Sequence, residues 1–156
     1  MKLSGKVVLG VVVAGLATLS AVQAQEKKIK REALPAAVEK TVAEQSKDAT
    51  VKGFSTEVEK GQTLYEAELM VKGHSKDILM DAQGNIVEVE EEVAMDALPA
   101  AVKEGLTKAA GSGTISKVES LTKKGKLVAY EAVVKIGTKR SEVQVGPDGQ
   151  KLAHEE

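Results

Sequence analysis

The chain has no cysteine and no tryptophan, and Phe54, Tyr65 and Tyr130 are the only Phe, Trp or Tyr side chains in its 156 residues. Without thiols there is no disulfide, no cysteine nucleophile, no thiolate metal site and no cysteine for a lipoprotein anchor. With so few aromatics, a core has to be built from Val, Leu, Ile and Ala. Neither sign of charge dominates, since 22 Lys and Arg face 23 Asp and Glu. No basic block is present to grip a phosphate backbone, so nucleic acid is excluded as an expected partner. Long apolar runs are missing too, except for one at the very start.

That run begins after Met1-Lys2-Leu3-Ser4-Gly5-Lys6 and extends from Val7 to Val22 without a charge. It closes on Val22-Gln23-Ala24, with small side chains at the −3 and −1 positions, before polar Gln25-Glu26-Lys27-Lys28. A basic start, an apolar middle and a small-residue exit are the three parts of a secretory signal peptide. The stretch is short for a bilayer-spanning helix, which needs about 20 apolar residues. Residues 1–24 are therefore read as a signal peptide. The expected location is periplasmic or secreted, with no membrane attachment after cleavage. The leader takes two lysines and no acid with it, so the remainder is mildly acidic.

The rest is organised by a repeat. Ala33-Leu34-Pro35-Ala36-Ala37-Val38 returns unchanged as Ala97-Leu98-Pro99-Ala100-Ala101-Val102, and Tyr65-Glu66-Ala67 returns as Tyr130-Glu131-Ala132. Repeats at this period point to one supersecondary unit used twice. Leu34, Ala37, Val38, Thr41 and Val42 have the three-and-four spacing of one helical face, with Pro35 in the first turn. Leu98, Ala101, Val102, Leu106 and Ala109 repeat it. Gly105 lies inside that stripe at a cost of about 1 kcal/mol relative to Ala, which predicts a weaker second helix ended by Gly111-Ser112-Gly113. Beyond each helix the period changes to two. In the first half, strands are predicted at 51–59, 64–71, 76–80 and 86–90, with Tyr65, Ala67, Leu69, Val71, Ile78, Met80, Val87 and Val89 inward. In the second half, Val128, Tyr130, Ala132, Val134 and Ile136 face in, then Val143 and Val145, then Leu152 on a short fourth strand. Glycine turns separate the strands. The expectation is an α+β fold of two tandem repeats, 25–93 and 94–156. Each is an N-terminal helix followed by a four-stranded antiparallel meander, and residues 25–31 form a mobile lead-in. Units of this size have marginal cores alone, so the two copies should pack together or share a sheet.

Few residues suggest chemistry. His74 and His154 lack the spacing of a metal pair on one helix and read as polar surface residues. Asp81-Ala82-Gln83-Gly84-Asn85 lacks the alternating carboxylates and distal Glu of a calcium loop and reads as a hairpin turn. No nucleophile–base pair or metal constellation is visible, so neither enzymatic activity nor a cofactor is expected. What stands out is the solvent side of the predicted strands, which is more apolar than a face meant only for water. It carries Leu64, Glu66, Glu68, Met70, Leu79, Ile86, Leu127, Ala129, Glu131, Val133 and Lys135. The candidate partner-binding face is Glu66, Glu68, Met70, Leu79, Ala129, Glu131, Val133 and Lys135. Packing between the two halves is the competing explanation for it.

The pattern of Leu-Pro-Ala-Ala-Val opening a helix, a glycine turn, a Tyr-Glu-Ala strand and a late Asp-Gly turn resembles the PepSY-like exported bacterial domains, similar in fold to the β-lactamase inhibitory protein. The residues carrying this are Leu34, Pro35, Val38, Gly61, Tyr65, Glu66, Asp81 and Gly84, then Leu98, Pro99, Val102, Gly125, Tyr130, Glu131, Asp148 and Gly149. Gly146 departs from the pattern, standing where Asp81 stands in the first half. The resemblance implies a non-enzymatic binding module, of the inhibitory kind found in peptidase propeptides, with a protein or peptide partner. It brings no catalytic residue. The alternative function is a cation-sensing or cation-sequestering envelope protein that uses its acidic face.

Overall fold

The computed structural model describes residues 26–154 and 156, so the predicted signal peptide lies outside the described residues. Eight antiparallel strands form one sheet in strict sequence order, β1 to β8. They are β1 Lys27–Ile29, β2 Thr50–Glu59, β3 Gln62–Val71, β4 His74–Met80, β5 Ile86–Glu92, β6 Thr114–Lys123, β7 Lys126–Ile136 and β8 Lys139–Val145. Helix α1, Ala36–Gln45, joins β1 to β2, and α2, Ala100–Ala110, joins β5 to β6. Pro35 and Pro99 sit at the two N-caps. Three hairpins turn on Lys-Gly pairs, Lys60-Gly61, Lys72-Gly73 and Lys124-Gly125, with both residues at positive φ. That geometry matches the twist of antiparallel strands.

This corrects the expected architecture of two repeats, each a helix with its own four-stranded meander. The strand after Asn85 pairs directly with the first strand after α2, from Glu88↔Lys123 to Glu92↔Glu119, so the sheet runs on without a seam. The physical reason is the edge. A separate first unit would leave β5 as an open strand with unpaired amides, and β6 satisfies them. Among the described residues the second half lacks the predicted fourth strand, and beyond β8 the chain makes one bridge, Lys151 to Val145. Nor is the lead-in loose. Lys27, Lys28 and Ile29 pair with Thr56, Ser55 and Phe54, and Ile29 packs on the core.

Both helices pack on the same face. Val38 and Val42 of α1 lie on Phe54, Ala67, Leu69, Ile78 and Met80, while Leu98, Val102 and Leu106 lie on Val118, Ala132 and Val145. Tyr65 and Tyr130 pack at the borders of these clusters. Not every predicted orientation holds. Ile86, expected outside, packs on the first cluster, because a bulge at Leu79/Met80 shifts the β4–β5 register. Ile136, expected inside, is half exposed at the end of β7.

The glycine turns dock on the helices. A Cβ on Gly84 would run into the Ala37 carbonyl, and one on Gly149 into the Ala101 carbonyl. Thr41 Oγ1 donates to the Gly84 carbonyl at 2.8 Å. Gly105 is the corresponding residue of α2, and there the Gly149 carbonyl comes so close that no Cβ fits. The helix-interior glycine is thus explained by contact with the turn. Gly146 repeats the backbone bonds of Asp81, since Asp81 N–H donates to Asn85 O at 3.0 Å and Gly146 N–H donates to Gln150 O at 2.8 Å.

Candidate functional site: the helix-free face

Alternation places every second side chain of each strand on the face the helices leave bare. Cross-strand pairing lines up Ser55, Glu66 and Leu79; Gly53, Glu68 and Asp77; and Met70 with Ser75. It continues with Leu79 beside Glu88 and Asp77 beside Glu90, then Glu88 beside Lys123, Glu90 beside Leu121 and Glu92 beside Glu119. On the far side Ala129 faces Leu121, Glu131 faces Glu119 and Gln144, Val133 faces Lys117 and Glu142, and Lys135 faces Arg140. The eight residues of the sequence-derived candidate face therefore share one surface. They are not equally available: Ala129 and Val133 are buried, Glu66, Glu68, Met70, Leu79 and Glu131 are half-buried, and Lys135 is exposed.

Near β1–β5 the surface sinks into a cavity of about 210 Å³ lined by Glu26, Glu57, Glu66, Asp77, Leu79, Glu88 and Glu90. Six carboxylates thus surround one leucine. Burial and then the neighbouring Glu66 raise the Glu57 pKa above the usual carboxylate range. Burial also raises Glu66, although the Ser55 hydroxyl, donating to Oε2 at 2.5 Å, works the other way. Asp77 is pushed up to about 6 by burial and then by the charge of Glu66. Glu90 is pushed up to about 8 by burial and then by Glu119. Like charges on a partly dry surface penalise one another's ionisation. The basic groups stand mostly to one side, where Lys123 pairs with Glu88 at 3.4 Å, Lys117 with Glu119 at 2.5 Å and Arg140 with Glu142 at 3.0 Å.

Asp77, Glu90 and Glu119 form the tightest group, with one carboxylate oxygen from each within 4.8 Å of the others. Glu119 is buried, and its Oε1 meets the Lys117 ammonium at 2.5 Å. Sequence reading passed over Asp77 and Glu119. Asp77 lies two residues from Leu79 and was legible by alternation. Glu119 was not, because the bulge at Ile115/Lys117 breaks the period just before it. The other polar residues stay apart. His74 and His154 are exposed. The Asp81 carboxylate is used inside its own turn, accepting from the Gln83 and Asn85 amides at 2.9 Å each and from the Asn85 side chain at 2.8 Å.

Neither a protein-family model nor a curated protein sequence matches the chain. Solved structures do. A BLIP-like protein from Bacteroides fragilis is similar over 74% of this chain and 81% of its own, at 22% identity and a TM-score of 0.55. The fold is BLIP-like. A DUF2874 family protein from Bacteroides ovatus is similar at TM-score 0.59 and 18% identity, over 76% of this chain and 84% of that one. A protein from Bacteroides eggerthii, provisionally described as periplasmic, reaches TM-score 0.62 at 16% identity, over 76% and 86%. No helix among the described residues is long and apolar enough to cross a membrane.

Proposed function

We propose that the chain is an exported, periplasmic binding module without enzymatic activity, a PepSY-like relative of the BLIP-like proteins, that engages a protein or peptide through the helix-free face. One observation carries this reading. Both helices cover the same side of the sheet, and among the described elements nothing covers the other, which presents Met70, Leu79 and the acid-lined cavity. A half-apolar, charged surface of this kind is what transient partners use. Site-specific photocrosslinking in the periplasm tests it. Probes replacing Met70 or Leu79 should give discrete adducts, and a probe replacing Lys40 on exposed α1 should not. Equal adducts from all three positions would refute the reading. Cation sequestration is the second reading, favoured by the convergence of Asp77, Glu90 and Glu119.

A further inference from the structure

We infer that the open edge of β8, over Lys139–Val143, docks against the same edge of a second copy of this chain. The sheet ends on two unlike strands. β1 is three residues long and begins with Lys27 and Lys28, which guard a short edge against pairing. β8 is seven residues long, and its ladder with β7 runs without a bulge. At the far end of β8 the chain returns to cover it. Lys151 bridges Val145, and the Glu156 amide donates to Gln144 Oε1 at 2.8 Å. Among the described residues nothing pairs with the outer side of Lys139–Val143, where Lys139, Arg140, Ser141 and Glu142 are exposed.

The backbone sets what that edge offers. Gly137 has positive φ in the two-residue turn between β7 and β8, so Ile136 and Lys139 close it as a hydrogen-bonded pair. Pairs alternate along an antiparallel ladder, so Ser141 and Val143 also bond inward, while the amides and carbonyls of Arg140 and Glu142 point outward. The Val133 carbonyl agrees, since it accepts from Ser116 Oγ of β6 at 3.2 Å and so turns away from its partner Glu142. A second copy laid antiparallel, Ser141 opposite Ser141, sets Arg140 of each against Glu142 of the other. These are the outward-pointing residues, so each pair exchanges both backbone bonds. Lys139 then falls opposite Val143 and not another cation. A slip of one residue mates outward groups with inward-bonded ones, and a centre on Arg140 or Glu142 sets like charges opposite one another.

The order of charges is what selects a second copy, because it is complementary to its own reverse. Within one copy Arg140 and Glu142 already pair at 3.0 Å, and joining two copies merges both pairs into one alternating cluster. The two-fold axis stands perpendicular to the sheet, closes after two copies and keeps both helix-free faces on one side. This goes beyond the partner reading, since β8 lies across the sheet from Met70 and Leu79. So short a contact makes a weak, concentration-dependent dimer.

Sedimentation velocity of the exported protein from micromolar to millimolar concentration should show a reversible monomer–dimer equilibrium without larger species. Arg140→Glu and Glu142→Arg should each weaken the dimer at least about tenfold through like-charge contact, and the double variant should restore it. Ser141→Cys, in a chain with no other cysteine, should cross-link across the axis at least about tenfold faster than Lys40→Cys on exposed α1. A monomer at every concentration overturns the edge pairing, as does a Ser141→Cys protein that cross-links no faster than the Lys40→Cys one. A dimer indifferent to both charge reversals assembles through another surface and overturns it too. An open series of oligomers does the same, since it signals β1 meeting β8 head to tail.

Discussion

Gly105 interrupts the apolar stripe of α2, and by helix propensity alone an alanine there would add about 1 kcal/mol of stability. The docked turn reverses that sign. The Gly149 carbonyl occupies the space a Cβ would need, so Gly105→Ala should destabilise the protein by about 1–3 kcal/mol, the usual cost of overpacking. Denaturant unfolding measures this, and a stabilised variant would show that the turn gives way. Thr41→Ala, which removes the hydroxyl bond to the Gly84 carbonyl, should cost about 1 kcal/mol. The two positions solve one packing problem differently. Single-sequence reading sees only the helical penalty of a glycine, because the turn that requires it lies 44 residues away.

Among the elements, β3, β4 and β7 were legible because clean alternation needs only local information. The strand predicted at 51–59 is present as β2, but the facing of the first strand after each helix was not legible. Bulges at Val51/Gly53 and Ile115/Lys117 insert an unpaired residue and break the period. β1 was missed because three mostly charged residues carry no periodic signal. The carboxylates that converge across β4, β5 and β6 were hidden for another reason, since convergence depends on which strands become neighbours. Their packing sets a pH dependence. Raised carboxylate pKa values mean that the folded state holds protons the unfolded chain has released, so stability falls as pH rises from the unfolded value to the folded one. For Glu90 that window runs from about 4.5 to about 8, and for Asp77 from about 3.8 to about 6. Glu92 and Asp81 are shifted down, Glu92 by the Ser75 amide and Asp81 by the Asn85 side chain. They act oppositely, their contribution being lost only as pH falls below the ordinary carboxylate range. In the presence of chelator, Tm should therefore be higher near pH 5 than near pH 9, and Glu90→Gln should flatten that slope. An unchanged slope in the variant would count against the strained carboxylate at β5.

For the whole molecule, the seamless sheet makes cooperativity the central expectation. Two beads would unfold in two steps, whereas a sheet in which β5 and β6 share a full ladder should come apart in one. With no tryptophan present, Tyr65 and Tyr130 report separately on the two core clusters they border. In Tyr65→Phe and Tyr130→Phe variants the remaining tyrosine fluorescence should give unfolding midpoints that coincide with circular dichroism. Midpoints separated by more than the difference in stability between the variants would mean that the halves behave independently. The repeat in the sequence was plain from the identical hexapeptides. That its two parts would merge into one sheet was anticipated only as one option beside face-to-face packing, because edge pairing is chosen by which backbone groups are left open and not by any local motif.

Every strand of this sheet neighbours the strand made just before it and the one made just after. A polypeptide emerging N-terminus first from a ribosome or a narrow translocation pore can thus lay down its structure in the order it arrives, each new segment finding its template already waiting. Short loops keep the search brief, and the greatest delays fall at the two helical crossings. Assembly of this kind closes each open edge with the very next strand, which keeps the exposed ladder of a growing sheet to one strand at a time.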